Sequence, residues 1–149
     1  MPVEASQTRS VPLLLAQRAF RAVVTHTLLC AVVLSTTEYA KRYPSGVGAA
    51  VALFASVSVF RLLVARRMLR TRVSSGKWRG LLYLTTLAAA GLWGLCAAGV
   101  VTLGVTSDTM VVLVVTAGIS AGAITSLAPE LALAQAYSAA VLVPLIVAG

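Results

Sequence analysis

The chain alternates long apolar stretches with short clusters of charged and turn-forming residues, a pattern that predicts membrane-spanning α-helices. A hydrocarbon core about 30 Å thick requires roughly 20 apolar residues in helical conformation. Windows of about this length are bounded by charges, glycines and prolines along the whole chain. They predict an all-α polytopic bundle of about five transmembrane helices, over residues 20–39, 46–65, 81–105, 109–128 and 131–149.

The composition supports a membrane protein. Hydrophobic residues make up 59% of the 149 residues and charged residues only 11%, and the mean hydropathy is +0.94. These values are too apolar for a soluble domain of this length. We therefore expect a single integral membrane domain over residues 1–149.

Basic residues are distributed unevenly between the two ends of the predicted helices. Lysines and arginines favour the cytoplasmic side of a membrane, and here they concentrate before the first helix and in the segment 66–80. The amino terminus and a basic loop over 66–80 are therefore expected to be cytoplasmic. Arg61, close to this loop, is expected to extend its guanidinium to the same interface. The basic loop contains Arg66, Arg67, Arg70, Arg72, Lys77 and Arg79.

The formal net charge of +8 indicates anionic lipid rather than nucleic acid as the partner of the basic residues. The basic residues cluster between apolar runs and have no interleaved groove of aromatic and polar residues, so no nucleic acid is expected as a partner. Each cation near a membrane surface contributes about 1 kcal/mol of attraction to anionic lipids. The predicted partner of the basic loop is therefore the anionic lipid of the cytoplasmic face.

With a cytoplasmic amino terminus, five crossings bring Gly149 to the outer side, still within apolar sequence. No charged or polar residue follows the fifth helix there. We expect a sixth helix beyond this point that would return the chain to the cytoplasm.

Small residues recur every four positions on the third and fourth predicted helices. Such stripes let membrane helices approach closely, because dispersion at short range replaces the missing hydrophobic drive. We expect these two helices to pack together through the stripes. A small-molecule or ion site lined by exposed backbone and a homodimer face are the alternatives. The stripes consist of Ala90, Gly94 and Ala98, and of Gly118, Gly122 and Ser126.

Three side chains are candidates for sensing. His26 is the only histidine; it is expected to be a packed polar residue, with sensing of pH or a ligand as the alternative. Trp93 lies too deep for an interfacial belt and either fills the gap beside small residues or forms the wall of a ligand pocket. Glu130 is expected to begin the fifth helix after Pro129, where its carboxylate faces the positive end of the helix dipole. Alternatively, Glu130 is a protonatable group within the membrane.

No catalytic machinery is visible in the sequence. The short loops contain no phosphate-binding motif, paired carboxylates or nucleophile with a base. No set of His and Cys residues has the spacing of a metal or haem site, so no metal and no cofactor are expected. Cys30 and Cys96 are expected to be free thiols. We therefore expect the chain as given not to be an enzyme.

Several motifs in residues 66–149 occur in the order found in one family of membrane regions. The basic segment ends in GKWRG and enters a helix with the run AAAGLWGLCAAG, and the sequence AGISAGAITSLAPELALAQAYSAAVLVPLIVAG follows. This arrangement resembles the amino-terminal membrane regions of bacterial sensor histidine kinases and diguanylate cyclases, of the membrane-associated sensor type. The first two helices resemble that family only in topology.

The resemblance implies a membrane-embedded sensor module in the bacterial inner membrane, with a role in signal transduction such as a two-component system. In that family a sixth helix and a cytoplasmic kinase or cyclase domain would follow. A small transporter or channel subunit, with a path past Glu130 and His26, is an alternative function. A protein that only anchors a partner in the membrane is the third.

Overall fold

The computed structural model describes residues 16–18, 23–24, 26–71, 76–102 and 106–149. All of these residues lie in helices or in short connections between helices. The principal helices are α1 (His26–Thr36), α2 (Glu38–Arg42), α3 (Pro44–Thr71), α4 (Gly76–Thr102), α5 (Thr106–Leu127) and α6 (Leu131–Ala148).

Four of these helices, α3 to α6, are long and apolar enough to cross a membrane. This confirms the prediction of an all-α, multi-pass membrane protein. The described part of the first predicted helix is shorter, because α1 covers only His26–Thr36. Residues 20–22 and 25 of that predicted helix lie outside the described part of the chain. Five crossings therefore remain a prediction.

The first predicted helix also ends earlier than expected. A bend at Thr37 separates α1 from the short helix α2, although the prediction continued the helix to residue 39. The hydroxyl of Thr36 donates to the carbonyl oxygen of Val32 at 2.9 Å, and the hydroxyl of Thr37 donates to that of Leu34 at 3.0 Å. Such hydroxyls compete with backbone donors for helix carbonyls, which favours a bend here.

The described part of the predicted loop 66–80 is helical. Helix α3 continues through the arginines to Thr71, and α4 already begins at Gly76. Arginine, leucine and methionine are good helix formers, so the charges end the membrane span without ending the helix. The guanidinium carbon of Arg67 lies 4.9 Å from the ring centre of Trp78, which links the two helix ends. Arg72, a predicted member of this loop, lies outside the described residues.

Polar contacts occur at both ends of the bundle. At the basic end, Arg79 at the start of α4 donates to Glu130 between α5 and α6 over 2.5 Å. At the opposite end, the backbone N–H of Glu38 donates to Asp108 Oδ2 over 2.6 Å. Lys41 also donates to Glu38 there, and this hydrogen bond raises the pKa of Lys41. These contacts join helix junctions that are distant in the sequence, and the predicted topology across the membrane stays a prediction.

Helices α4 and α6 are in close backbone contact at Gly94. A methyl group added at Gly94 would lie 2.7 Å from the carbonyl oxygen of Val141 and 2.8 Å from that of Ala140. Both Ala90 and Val141 are fully buried. The absence of a side chain at Gly94 thus lets α4 approach the backbone of α6. The sequence had instead predicted that the stripe containing Gly94 packs against α5.

The glycines of the other stripe do not form a close helix contact. Gly118 and Gly122 on α5 are exposed, and a methyl group added at either would meet no atom within 4 Å. The expected packing of α4 on α5 through both stripes is therefore wrong at these positions. Helices α4 and α5 contact each other elsewhere, through Trp93 and Thr116. Of the other stripe members, Ala98 and Ser126 are half-buried.

Candidate functional site

A cavity of about 590 Å³ lies beside the exposed glycine face of α5. Its walls come from α1, α3, α5 and α6, together with the short segment 16–18. The apolar part of the lining includes Leu29 of α1 and Ile119, Ala123 and Leu127 of α5. The cavity therefore lies between helices that are far apart in the sequence.

The glycine stripe of α5 forms one wall of this cavity. Gly118 and Gly122 both line it, and Ser126, one turn further on, continues the same wall. Because neither glycine has a side chain, backbone and open volume occupy the space that larger residues would fill. Gly118 and Gly122 were predicted to pack against another helix. Their arrangement instead suits the alternative prediction, a small-molecule or ion site lined by exposed backbone.

Arg61 of α3 is the most unusual residue of the lining. Only 8% of its surface is exposed, and it faces the cavity. Its Nε atom is buried and has no hydrogen-bond partner among the described residues. This corrects the expectation that Arg61 extends to the membrane interface, because its position on α3 directs the side chain between the helices.

His26 and Tyr137 form a polar pair at the cavity wall. The hydroxyl of Tyr137 and Nε2 of His26 share a hydrogen bond of 3.1 Å. The imidazole also stacks on Phe54, with ring centres 6.0 Å apart and an angle of 8° between the rings. These contacts fix the ring of His26 between α3 and α6, so both the packed and the sensing interpretations of this residue remain open.

The end of α1 nearest the cavity is also tied to α3. The hydroxyl groups of Thr27 and Ser58 are 2.9 Å apart and hydrogen-bonded. Ser58 is buried, with 5% of its surface exposed. Because Ser58 precedes Arg61 on α3 by about one turn, this contact holds α1 close to the buried guanidinium.

A second cation lines the cavity. Arg18 is exposed, and its Nη1 atom donates to the carbonyl oxygen of Thr125 on α5 at 3.4 Å. This distance is long for a hydrogen bond, so the contact is weak. No acidic side chain occurs in the described lining. The site therefore combines two guanidinium groups, a histidine–tyrosine pair and apolar walls.

Trp93, a predicted sensing residue, lies in the core and does not line the cavity. Only 1% of its surface is exposed. Its indole Nε1 donates to Thr116 Oγ1 on α5 at 3.0 Å, and the Thr116 hydroxyl donates to Val112 at 2.7 Å. The side chain fills the core beside Gly94 and joins α4 to α5.

Glu130 lies at the junction between α5 and α6, away from the cavity lining. It is the N-cap residue of α6, but its side chain forms no cap hydrogen bond. Its carboxylate instead accepts a hydrogen bond from Arg79, which also donates to the hydroxyl of Tyr83 at 2.8 Å. The structure does not bring Glu130 and His26 together, although the transporter alternative placed both on one path.

The remaining candidate chemistry is sparse. Cys30 is buried, Cys96 is half-buried, and both are free thiols. Within the described ranges, no group of three or more His, Cys, Asp or Glu residues is arranged to hold a metal ion.

Sequence reasoning missed three members of this site. Arg61 had a usable signal, since it is a charge inside an apolar window, and such residues commonly face a bundle interior. Arg18 is one of the basic residues before the first predicted helix, which indicated only the orientation of the chain. Tyr137 lacked any signal of its own, because its importance depends on its contact with His26, 111 positions away in the sequence.

Comparisons with protein-family models, with curated proteins and with solved structures find no match to this chain.

Proposed function

We propose that the chain is the membrane-embedded input module of a bacterial signal-transduction protein, of the sensor kinase or diguanylate cyclase type. In this proposal, a change in helix arrangement passes to a cytoplasmic output domain. The observation that carries the proposal is the cavity between α1, α3, α5 and α6. The resemblance of residues 66–149 to membrane-associated sensor regions is its basis in the sequence.

A cavity between helices couples occupancy to helix arrangement. A ligand shifts an equilibrium between two arrangements only if it binds one of them better. A site whose walls belong to several helices meets this condition when the helices shift, because its size and shape then change. Shifts of 1–2 Å between packed helices are typical of such switches.

The described part of the bundle combines a tight contact between two helices with an open wall on a third. The backbones of α4 and α6 approach so closely at Gly94 that no side chain fits between them. In contrast, Gly118 and Gly122 on α5 have open space in front of them. The adjustable element of the proposed sensor is therefore α5, and the α4–α6 pair is its support.

The distribution of charge supports an orientation for the module. The exposed cations Arg66, Arg67 and Arg70 lie at the same end as the ion pair between Arg79 and Glu130. This end faces the cytoplasm in the proposal, in agreement with the preference of basic residues for that side of the inner membrane. A movement of α5 would then reach the cytoplasmic end of the bundle at the junction between α5 and α6.

A cavity-filling variant tests the proposal without a ligand. In Gly122→Leu, the new side chain occupies the cavity and mimics a bound molecule. Spin labels at Thr71 and Ala128, both exposed at the basic end, report the distance between α3 and the junction that follows α5. The labels require a background in which Cys30 and Cys96 are replaced by alanine. We expect Gly122→Leu to shift this distance by about 2 Å.

Gly99→Leu on α4 is the matched control. A side chain at Gly99 meets open space and does not line the cavity. Gly99→Leu makes the same change in side-chain volume and helix propensity as Gly122→Leu. The distance between the labels at positions 71 and 128 should therefore equal that of wild type. Equal distances in wild type and Gly122→Leu would refute a coupling between the cavity and the basic end.

The DNA that follows codon 149 provides an independent test. A reading frame that continues into a kinase or cyclase domain supports the proposal, and the activity of that domain should change in Gly122→Leu but not in Gly99→Leu. A stop codon directly after Gly149 would instead favour a membrane protein without an attached output domain.

A transporter or channel subunit is the alternative function. It predicted a path past His26 and Glu130, but Glu130 is held by Arg79 and does not line the cavity. Flux of an anion into liposomes that contain the purified chain would favour this alternative over the sensor.

A further inference from the structure

We propose that the cavity binds the anionic head group of an amphiphile, with its carboxylate or phosphate at Arg61 and its apolar chain against Leu29 and Ile119. The inference deepens the proposed function, on which it rests, because it gives the signal a chemical class.

The charge of Arg61 is the first argument. A guanidinium stays protonated in proteins, and burial of an unpaired ion costs several kcal/mol even after relaxation. Arg61 is 8% exposed, and its Nε has no partner among the described residues. An anion in the cavity would supply both the missing charge and an acceptor.

The acidic residues of the chain do not supply this anion within the described part of the molecule. The sequence contains only four. Glu130 pairs with Arg79, Glu38 with Lys41, and Asp108 accepts from the backbone of Glu38. The fourth, Glu4, lies outside the described residues. None of the three described acidic residues is the counter-ion of Arg61, and we assign that role to a ligand.

The polar groups of the site suit a carboxylate or phosphate. Arg18 lines the same cavity, and its one described contact is the long bond of 3.4 Å to Thr125. Guanidinium groups match the geometry of carboxylate and phosphate oxygens. The hydroxyl of Ser126 is a further donor on the wall. An anion thus meets donors from three separate segments of the chain.

The rest of the cavity suits an apolar chain. Leu29 and Ile119 line it, and the absent side chains of Gly118 and Gly122 leave room beside them. A volume of about 590 Å³ is larger than an inorganic ion needs and within the range of about 300–1,000 Å³ for organic ligands. Apolar walls beside a buried cation are complementary to an amphiphile.

Photo-crosslinking in nanodiscs tests this assignment. The probe is palmitate with a diazirine near the end of its chain, added to the full chain in phosphatidylcholine nanodiscs. We expect saturable labelling that maps to the cavity walls. Unlabelled oleate should compete, whereas methyl oleate, which lacks the charge, and butyrate, which lacks the chain, should compete at least about tenfold less well.

Variants of Arg61 test the charge from the side of the protein. Arg61→Met should weaken labelling about ten- to a hundredfold, because hydrogen bonds to charged groups contribute about 1.5–3 kcal/mol. Arg61→Lys should retain part of the affinity. Arg70→Met is the matched control, since Arg70 is an exposed cation of the same helix, and its labelling should equal that of wild type. If Arg61→Met fails to fold, the comparison of oleate with methyl oleate on the wild-type chain still tests whether binding requires a negative charge on the ligand.

If the probe does label the chain, two results would overturn the inference. One is equal labelling in wild type and Arg61→Met together with equal competition by oleate and methyl oleate. The other is at least tenfold tighter labelling in Glu4→Gln, which would identify Glu4 as the counter-ion that the probe displaces.

The source of the amphiphile is distinguished by the lipid. If phosphatidylglycerol in the nanodisc displaces the probe and Arg61→Met abolishes this effect, the occupant is a bilayer phospholipid. If the probe stays bound, the occupant is a free fatty acid. Both outcomes support the anionic head group.

The spin-label distance between positions 71 and 128 separates this inference from the proposed function. Binding that depends on Arg61 without a change in distance would support the site and refute the sensor. A change in distance in Gly122→Leu without palmitate binding would support the sensor and refute this ligand.

Discussion

The contact of α4 with α6 at Gly94 predicts a large effect from a single methyl group. In Gly94→Ala, the new carbon would lie 2.7 Å from the carbonyl oxygen of Val141 and 2.8 Å from that of Ala140, and 3.1 Å from the ring of Pro144. The first two neighbours are backbone atoms, so no side-chain rotation relieves the contact. The two helices must instead move apart.

The required movement can be estimated from the distances. Ordinary contacts begin at 3.4 Å, so the helices must separate locally by about 0.7 Å, the difference between 3.4 and 2.7 Å. Such overpacking typically costs about 1–3 kcal/mol. Replacement of glycine by alanine in a helix returns up to about 1 kcal/mol. We therefore expect a net loss of up to about 2 kcal/mol in the free energy of unfolding for Gly94→Ala, and a stability about 1–3 kcal/mol below that of a glycine-to-alanine change that meets no neighbour.

Gly99→Ala is the matched control, because it makes the same substitution on the same helix. A methyl group at Gly99 meets no atom within 4 Å, so only the gain in helix propensity remains and stability should be equal or higher. The assay is unfolding of the purified chain in mixed micelles with increasing dodecyl sulfate, followed by circular dichroism. If Gly94→Ala is as stable as Gly99→Ala, the close approach of α4 and α6 is wrong.

Three further predictions concern the core, the basic end and the topology. Thr116→Val leaves the indole N–H of Trp93 without its acceptor and should lower the free energy of unfolding by about 1–3 kcal/mol; a smaller loss in the same assay would contradict the buried hydrogen bond. Glu130→Gln removes the ion pair with Arg79, whose side chains are 20% and 43% exposed, so the loss should stay below about 1 kcal/mol and shrink in high salt. A larger, salt-independent loss would contradict a solvent-screened pair. Reporter fusions after positions 75 and 130 should be active in the cytoplasm, and fusions after 43 and 107 outside; the reverse pattern would overturn the orientation.

The sequence was sufficient to predict the secondary structure and the span of most long helices. Apolar windows and flanking charges predicted α3 to α6 because a bilayer strongly restricts both composition and length. Helix ends were less predictable. Arginine at the end of α3 marks the limit of apolar sequence, yet it also favours helix, so the helix continues to Thr71.

Partners of the small-residue stripes were not predictable from spacing. A stripe reports that a backbone is accessible and does not identify the neighbour that uses this access. At Gly94 the accessible backbone is covered by the backbone of α6, whereas at Gly118 and Gly122 it lines a cavity. Sequence separation gave no indication of this difference, because α4 is nearer in sequence to α5 than to α6.

Arg61 shows why an intramembrane charge needs the fold before its role can be inferred. Its distance along α3 from the basic end permits either an interfacial position or an interior one, and a long side chain can extend in both directions. Arg61 lies in the interior because α1 covers its face of α3. Thr27 of α1 is hydrogen-bonded to Ser58 on that face, and the ring of His26 stacks on Phe54. On that face, a cation without a described partner is costly unless something else supplies the anion. The same packing that buries Arg61 therefore creates both the cost and the cavity in which a ligand can relieve it.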